Sequence, residues 1–396
     1  MQGSEKLLNW KYLTFVGLQT LNYMLFYVSY PVIPKYAVSI GFDLAHAGVL
    51  AGAFAVAALF ARPAAGYCND HAGRKQIMIA AFVICGLSTL ALSLTDKHWI
   101  LLILRLAYGA AFSFSSTMLV SCATDYIPES RIAEGIGYVG LGISLASAVG
   151  MPIGLKLASD LGMKRLFMVM GVLNILSAAV VIFVPVVRNE KPADRERFSV
   201  TGLFELRVLI YSVLVLPFSF SVGFVNSFFA LTAESRNIAG YSVFFSIVAV
   251  AMMLVKPLSG KAQDRWGLSA VLIPAFILSA LAAGIIAVSH TLALMIIAAL
   301  CQAAGQGSGQ PALQAKSVSS IEHARRGVAL STFYLGVDLG TGIGNIAGSR
   351  IASAFGYEGA YLFCSAMLIL GLVIYLVHEA ISRRRAAGDG GEKLPA

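Results

Sequence analysis

Charge is what this chain has least of. Only 12% of its 396 residues are Asp, Glu, Lys or Arg while 58% are hydrophobic, too little polar surface to coat a soluble globule, so water is not the principal solvent. Cysteine is sparse as well. Cys68, Cys85, Cys122, Cys301 and Cys364 stand apart with no paired spacing, which argues against a disulfide framework and leaves them as small apolar residues. The six histidines show no metal-ligand spacing, and no Gly-rich loop ending in Lys-Ser or Lys-Thr is there to cradle a nucleotide phosphate. No metal, cofactor or ATP chemistry is expected, and the lack of a nucleophile-and-base set or a long soluble loop disfavours an enzyme or receptor. A cleavable leader is not expected either, because Met1 to Trp10 is polar and the first apolar run is too long for a signal core.

What is abundant is apolar sequence in runs of roughly 20 residues, the length that crosses a bilayer as helix. About twelve can be read, near 12–36, 47–67, 76–95, 99–123, 133–158, 165–187, 208–231, 241–262, 269–289, 292–315, 328–353 and 359–380. A closed barrel would need short alternating segments, so helices are expected throughout. The one long polar interruption, 188–207, carries Arg188, Lys191, Pro192, Asp194, Arg195 and Glu196. It separates 1–187 from 208–382, six spans each, and 383–396 follows as a solvated tail. Alternate loops then share a side with both termini. Most of the 29 basic residues gather there, among them Arg74, Lys75, Arg131, Arg265, Arg325 and Arg326, and positive-inside bias makes that side cytoplasmic. Basic loops at an anionic leaflet account for the net charge of +9, so no nucleic-acid partner is expected.

The chain also repeats itself. Arg62, Pro63, Gly66, Asp70 and Gly73 return in the same order and spacing as Lys256, Pro257, Gly260, Asp264 and Gly267, 194 residues later. At the same offset Arg131 coincides with Arg325, Gly142 with Gly336, Gly150 with Gly344 and Gly154 with Gly348. The two halves descend from one six-helix unit or imitate one closely.

The run Gly66 to Lys75 resembles the loop 2–3 signature of the major facilitator superfamily. Leu104, Arg105 and Gly109 resemble its arginine motif, and Pro128 and Arg131 after Asp125 its loop 4–5 pattern. Gly150, Met151, Pro152, Ile153 and Gly154 resemble the antiporter motif of its twelve-helix drug/proton antiporters, except that Met151 stands where the proline should be. The resemblance runs the length of the chain. It implies an all-α membrane protein, twelve transmembrane helices in two pseudo-symmetric six-helix bundles, with spans 1, 4, 7 and 10 lining a central cavity. It also implies that Asp70, Arg74 and Asp125 latch the outward-open state. The second copy keeps Gly260 and Asp264 but has Leu268 in the place of Arg74 and Ser319 in that of Asp125, so its latch is expected to be weaker. In physical terms Gly66 allows close helix approach, Gly73 a tight turn, and Asp70 can face the positive N-terminus of span 11 near Gly327. Ordinary topogenic charges and turn residues are the competing reading.

Polar residues inside the spans concentrate in the same four. Gln302, Gln306, Gln310 and Gln314 recur every four residues, one stripe along span 10 that must face protein or water, because an unpaired amide in lipid costs on the order of kcal/mol. Span 1 offers Gln19, Asn22, Tyr23, Phe26, Tyr27 and Tyr30; span 4 offers Arg105, Tyr108, Phe112 and Ser116; span 7 offers Phe220, Phe224 and Asn226. Bridging glutamines and merely packed aromatics are the alternative. Two ionisable residues stand deep in spans, Arg105 and Asp338. At ~1.5 Å per residue, Asp338 lies roughly 15 Å from Val328, near the midplane. A bare carboxylate there is costly, so a proton carrier, a structural ion pair and a neutral acid all fit. Gly336, Gly340, Gly344 and Gly348 form a packing seam on its span, and Gly150, Pro152 and Gly154 stand at the matching part of span 5. The expected function is a monomeric, proton-coupled secondary transporter of a cell inner membrane, carrying a small amphiphilic molecule outward, with Asp338 binding the coupling proton and Arg105 tuning it or holding an anionic part of the cargo. A proton-coupled importer of a sugar-like or organic-acid nutrient shares these features.

Overall fold

This computed structural model describes residues 9–71, 73–128, 132–186, 205–321 and 326–388, and every element among them is helical. The first half forms α1 (Trp10–Ser39), α2 (Leu44–His71), α3 (Arg74–Leu92), α4 (His98–Thr124), α5 (Ile132–Leu161) and α6 (Met163–Phe183). After a 3-10 turn (Leu206–Val208) come α7 (Leu209–Ser235), α8 (Val243–Trp266), α9 (Leu268–Val288), α10 (Leu292–Ser319) and α11 (Arg326–Gly388). The last of these is broken at Gly356, whose φ of 74° and ψ of 172° are non-helical and suit a residue without Cβ. Two arms result, 326–355 and 357–388, where the sequence predicts its last two spans.

Ten helices of the described residues are long and apolar enough to cross a membrane by length and composition, against twelve expected. α1 is not among them, its run being diluted by Gln19, Asn22, Tyr23, Tyr27, Tyr30 and Lys35, and the two arms of α11 count there as one span. The tail differs too. The helix continues through Arg383, Arg384 and Arg385 to Gly388, because arginine and alanine are good helix formers and cations suit a helix C-terminus. Residues 187–204, most of the expected linker, lie outside the described residues.

Among apolar helices in lipid, close packing replaces the hydrophobic effect as the force that holds neighbours together, and glycine supplies it twice in the same way. α5 lies on α1: a Cβ on Gly142 would stand 2.3 Å from Thr20 Oγ1, and one on Gly154 3.0 Å from Val28 Cα. α11 lies on α7: a Cβ on Gly336 would stand 2.3 Å from Ser212 O, and one on Gly344 2.2 Å from Phe220 O. The repeated glycines of the sequence are thus repeated contacts.

The buried side chains are unevenly shared. Asn9 and Tyr126, joined by a 3.1 Å hydrogen bond, and Ser269 and Tyr375, 2.7 Å apart, mark the face on which the described chain starts and ends, here the termini face. Toward the far face one continuous cluster draws on both halves, with Leu25, Val28, Val32 and Met151 against Phe224, Phe228, Phe229 and Phe245. Toward the termini face there are two clusters. One holds Phe15, Met78, Phe82, Met118 and Val181 of the first half, the other Phe218, Leu272, Phe276, Leu313 and Phe333 of the second. The halves share a core at one end and keep separate cores at the other.

Candidate functional site

Charge enters the helical interior where α2 of the first half meets α11 of the second. Glycines bring the two helices together, since a Cβ on Gly48 would fall 1.7 Å from Ser349 Oγ and one on Gly52 2.6 Å from Ile346 Cγ1. Farther along the same seam, Arg62 donates to Asp338 through Nε (2.5 Å to Oδ2) and Nη2 (3.2 Å to Oδ1), a bidentate ion pair. The Asp338 side chain is 11% exposed and that of Arg62 31%. The Arg62 guanidinium also lies 5.9 Å from the Tyr334 ring centroid, within cation–π range, and Gln314 Nε2 donates to the Tyr334 hydroxyl at 3.2 Å. Tyr23 of α1 lies within electrostatic reach of Arg62, Tyr334 and Asp338. Four helices from both halves thus meet at one polar centre.

Sequence reasoning missed Arg62 as a site residue, treating it as a landmark of the repeat, and missed Tyr334 altogether. The signal for Arg62 was available, as a cation well inside an apolar run. Arg105, expected to tune the proton site or hold an anionic part of the cargo, makes no ion pair with Asp338, whose partner is Arg62. Arg105 is 4% exposed, donates from Nε to Leu50 O at 3.3 Å, and places its guanidinium 5.6 Å from the ring centroids of both Phe54 and Tyr108. The rings continue from there. Phe26 stands 4.6 Å from Phe54, 5.0 Å from Tyr30, 5.1 Å from Phe112 and 5.2 Å from Tyr27, and Tyr23 stands 5.3 Å from Phe112. α1, α2 and α4 therefore build one aromatic cluster whose half-buried rings, Tyr23, Phe26, Tyr27 and Tyr30, form its surface, while Phe54, which the sequence did not single out, and Tyr108 and Phe112, expected in the cavity wall, are buried in its core.

α7 does not extend that surface as expected. Phe220 and Phe224 are 4% and 0% exposed and pack on the second arm of α11, against Phe363 at 5.6 Å and Tyr361 at 5.0 Å. Gly344 and Gly348 press on this part of α7 and hold both rings in the core; Asn226 is half-buried. The amides divide as well. Asn22 bridges α1 to Ser115 of α4 at 3.2 Å, and Gln306 bridges α10 to Phe218 O of α7 at 3.0 Å. Gln302 is buried, while Gln310 and Gln314 are half-buried.

Of the expected latch, the Asp70 side chain lies outside the described residues. Arg74 donates to Asp125 Oδ2 at 2.6 Å and to Asn69 O at 2.9 Å. Burial pushes the Asp125 carboxyl above its ordinary value, opposed by the Arg74 guanidinium. Gly66 does not make the close helix contact expected of it: nothing lies within 4 Å of a Cβ there, nor at Gly260. Gly73 has φ −71°, open to any residue, whereas its repeat mate Gly267 has φ 82° and needs glycine. Asp264 is exposed.

The far face is tied across the halves. Lys35 of α1 donates to Glu234 of α7, which also accepts from the Tyr241 hydroxyl at 2.5 Å, and Ser246 of α8 donates to Ala148 O of α5 at 3.4 Å. Near the termini face an open groove of ≈ 460 Å³ is lined by Pro311, Gln314, Ala315, Val318 and Ser319 of α10. All five cysteines are free.

Two like helical halves, which among the described residues share an apolar core on one face and keep separate cores on the other, bridged by an ion pair at their junction, have the build of a membrane transporter. The sequence profile of the Major Facilitator Superfamily matches residues 15–255 and 211–395, and the chain belongs to that family. It is 25% identical to an uncharacterised MFS-type transporter of Methanocaldococcus jannaschii, over 87% of this chain and 92% of that one. It is 25% identical to the multidrug resistance protein MdtG of Enterobacter lignolyticus, over 100% of this chain and 97% of the relative. Among solved structures, that of a point mutant of the nucleoside transporter NupG superposes with a TM-score of 0.81 at 13% identity, covering 93% of this chain and 99% of NupG. The protein is a multi-pass membrane transporter of this superfamily.

Proposed function

We propose that the protein exports small amphiphilic organic compounds in exchange for protons, as a monomer of the cell inner membrane working by alternating access between two six-helix bundles. The positive-inside rule favours a cytoplasmic termini face, and the separate cores of the two halves toward that face support reading the conformation as inward-open. MdtG's name as a multidrug resistance protein and the aromatic cluster of α1, α2 and α4 support an amphiphilic cargo.

The Arg62–Asp338 pair carries the reading. It joins α2 to α11, helices of different halves. Protonating Asp338 removes the negative partner, leaves Arg62, already partly exposed, free to turn toward solvent, and weakens one interior tie across the junction. Proton binding is thereby linked to the relative position of the halves. Arg74 ties the start of α3 to Asp125 and to the Asn69 carbonyl, which supports a latch role for this corner together with Asp70. The test is transport in proteoliposomes under an imposed pH gradient, with a compound selected by thermal-shift screening of the purified protein. Asp338→Asn is expected to abolish gradient-driven accumulation while exchange of compound across the membrane continues. Unchanged accumulation removes Asp338 from coupling, and accumulation in the direction of the proton flow identifies an importer instead.

A further inference from the structure

Among the described residues four arginine side chains lie largely within the protein, and three are matched by acceptors. Arg62 holds Asp338. Arg74 holds Asp125 and the Asn69 carbonyl. Arg236 shows what a structural arginine looks like in this chain: it donates to the carbonyls of Ile286, Ala287 and Ser289 at 2.6 to 2.7 Å, with Glu358 at 3.7 Å. Arg105 is different. It is 4% exposed, yet among the described residues it has one hydrogen bond, a 3.3 Å contact to Leu50 O, and no carboxylate partner. A guanidinium carries five N–H donors, and the faces of Phe54 and Tyr108 at 5.6 Å replace only part of the hydration lost on burial. An enclosed cation left short of acceptors and counter-charge is an expensive arrangement.

The other interior charges do not compensate for it. Arg62 and Asp338 cancel each other. Lys256 repeats the place of Arg62 on α8, and where Asp338 stands on α11 the repeat has Ser144 on α5. Lys256 is exposed and adds nothing to the interior balance, so among the described residues Arg105 is left as the interior's unpaired charge. The helical interior therefore has an excess of positive charge, and its least satisfied cation sits against a continuous aromatic cluster. Such a site is completed by a negative group attached to a flat apolar body.

We infer that the cargo is an organic anion with an aromatic body. Arg105 takes its acidic group, and the half-buried rings of Phe26, Tyr27 and Tyr30 take its ring system. The inference rests on the transporter reading above but needs neither the outward direction nor the proton.

Three isosteres test it by calorimetric titration of the purified full-length protein: 2-naphthoate, 2-naphthamide and 2-naphthylmethylammonium. Naphthoate is expected to bind about tenfold or more tighter than the amide, as a charge-assisted contact to a buried guanidinium requires, and the ammonium to bind more weakly still. Arg105→Gln is expected to bring naphthoate down to the level of the amide, and Arg105→Lys to keep the order of the three. Equal binding of the three, preference for the amide or the ammonium, binding of none, or a naphthoate preference that survives Arg105→Gln each overturns the inference. Should Arg105→Gln not fold, the ranking on the unaltered protein still decides. Charge-selective binding without proton-driven transport would sink the exporter reading and leave this one standing; proton-driven export with no preference for the anion would do the reverse.

Discussion

Arg62 and Asp338 stabilise each other only as a pair. Arg62→Gln strands a carboxylate in the interior, and the expected loss in thermal unfolding is on the order of 1–3 kcal/mol, below the figure for a fully buried pair because part of Arg62 is open to water. Arg62→Gln with Asp338→Asn should recover most of that stability and still fail to couple. Asp96 allows a test at the far face. The Tyr36 hydroxyl at 2.6 Å and the Lys164 ammonium at 2.9 Å both donate to it, and these bonds hold its carboxyl below the ordinary carboxylate value. With the folded value below the unfolded one, the stabilisation is whole above the ordinary range and is lost as pH falls through the folded value. The melting temperature of Asp96→Asn should therefore fall less steeply with acid than that of the unaltered protein. Asp338 was legible from sequence, because a carboxylate inside an apolar run has few uses. Its partner, 276 residues away, was not, since an ion pair at that separation depends on which helices touch.

At the scale of helices, glycine sets the spacing. A Cβ on Gly344 would meet Phe220 O at 2.2 Å, so Gly344→Ala must push α11 off α7 and is expected to cost about 1–3 kcal/mol in chemical unfolding. Gly66→Ala meets open space and should stay within about 0.5 kcal/mol. Equal losses would remove the distinction between the two glycines. The seam on α11 was readable from its four-residue interval, as was the glutamine stripe of α10. The neighbour of each face was not, and that is why Phe220 and Phe224 looked like cavity residues and are core.

For the whole molecule, the far-face tie between Lys35 and Glu234 adds to the shared apolar core in holding the halves together there. Spin labels at Ser39 and Ala239, both exposed beyond the ends of α1 and α7 or at them, report that separation. Glu234→Gln is expected to broaden the distance distribution toward longer values, a population shift on the order of 1 kcal/mol for one partly exposed pair. An unaltered distribution would leave the closure to the apolar core and the Ser246–Ala148 contact.

Lipid as solvent, helix as the spanning element, the tandem repeat and the spacing of its glycines could all be read along the chain, because each depends on length, polarity or intervals between near neighbours. Pairings between distant residues could not. That Asp338 holds Arg62 and not Arg105, that Arg105 faces rings with no acid beside it, and that the halves close on one side only are consequences of helices from different parts of the chain being pressed together. Contacts of that kind are set by shape and approach distance in three dimensions, which the order of residues does not display.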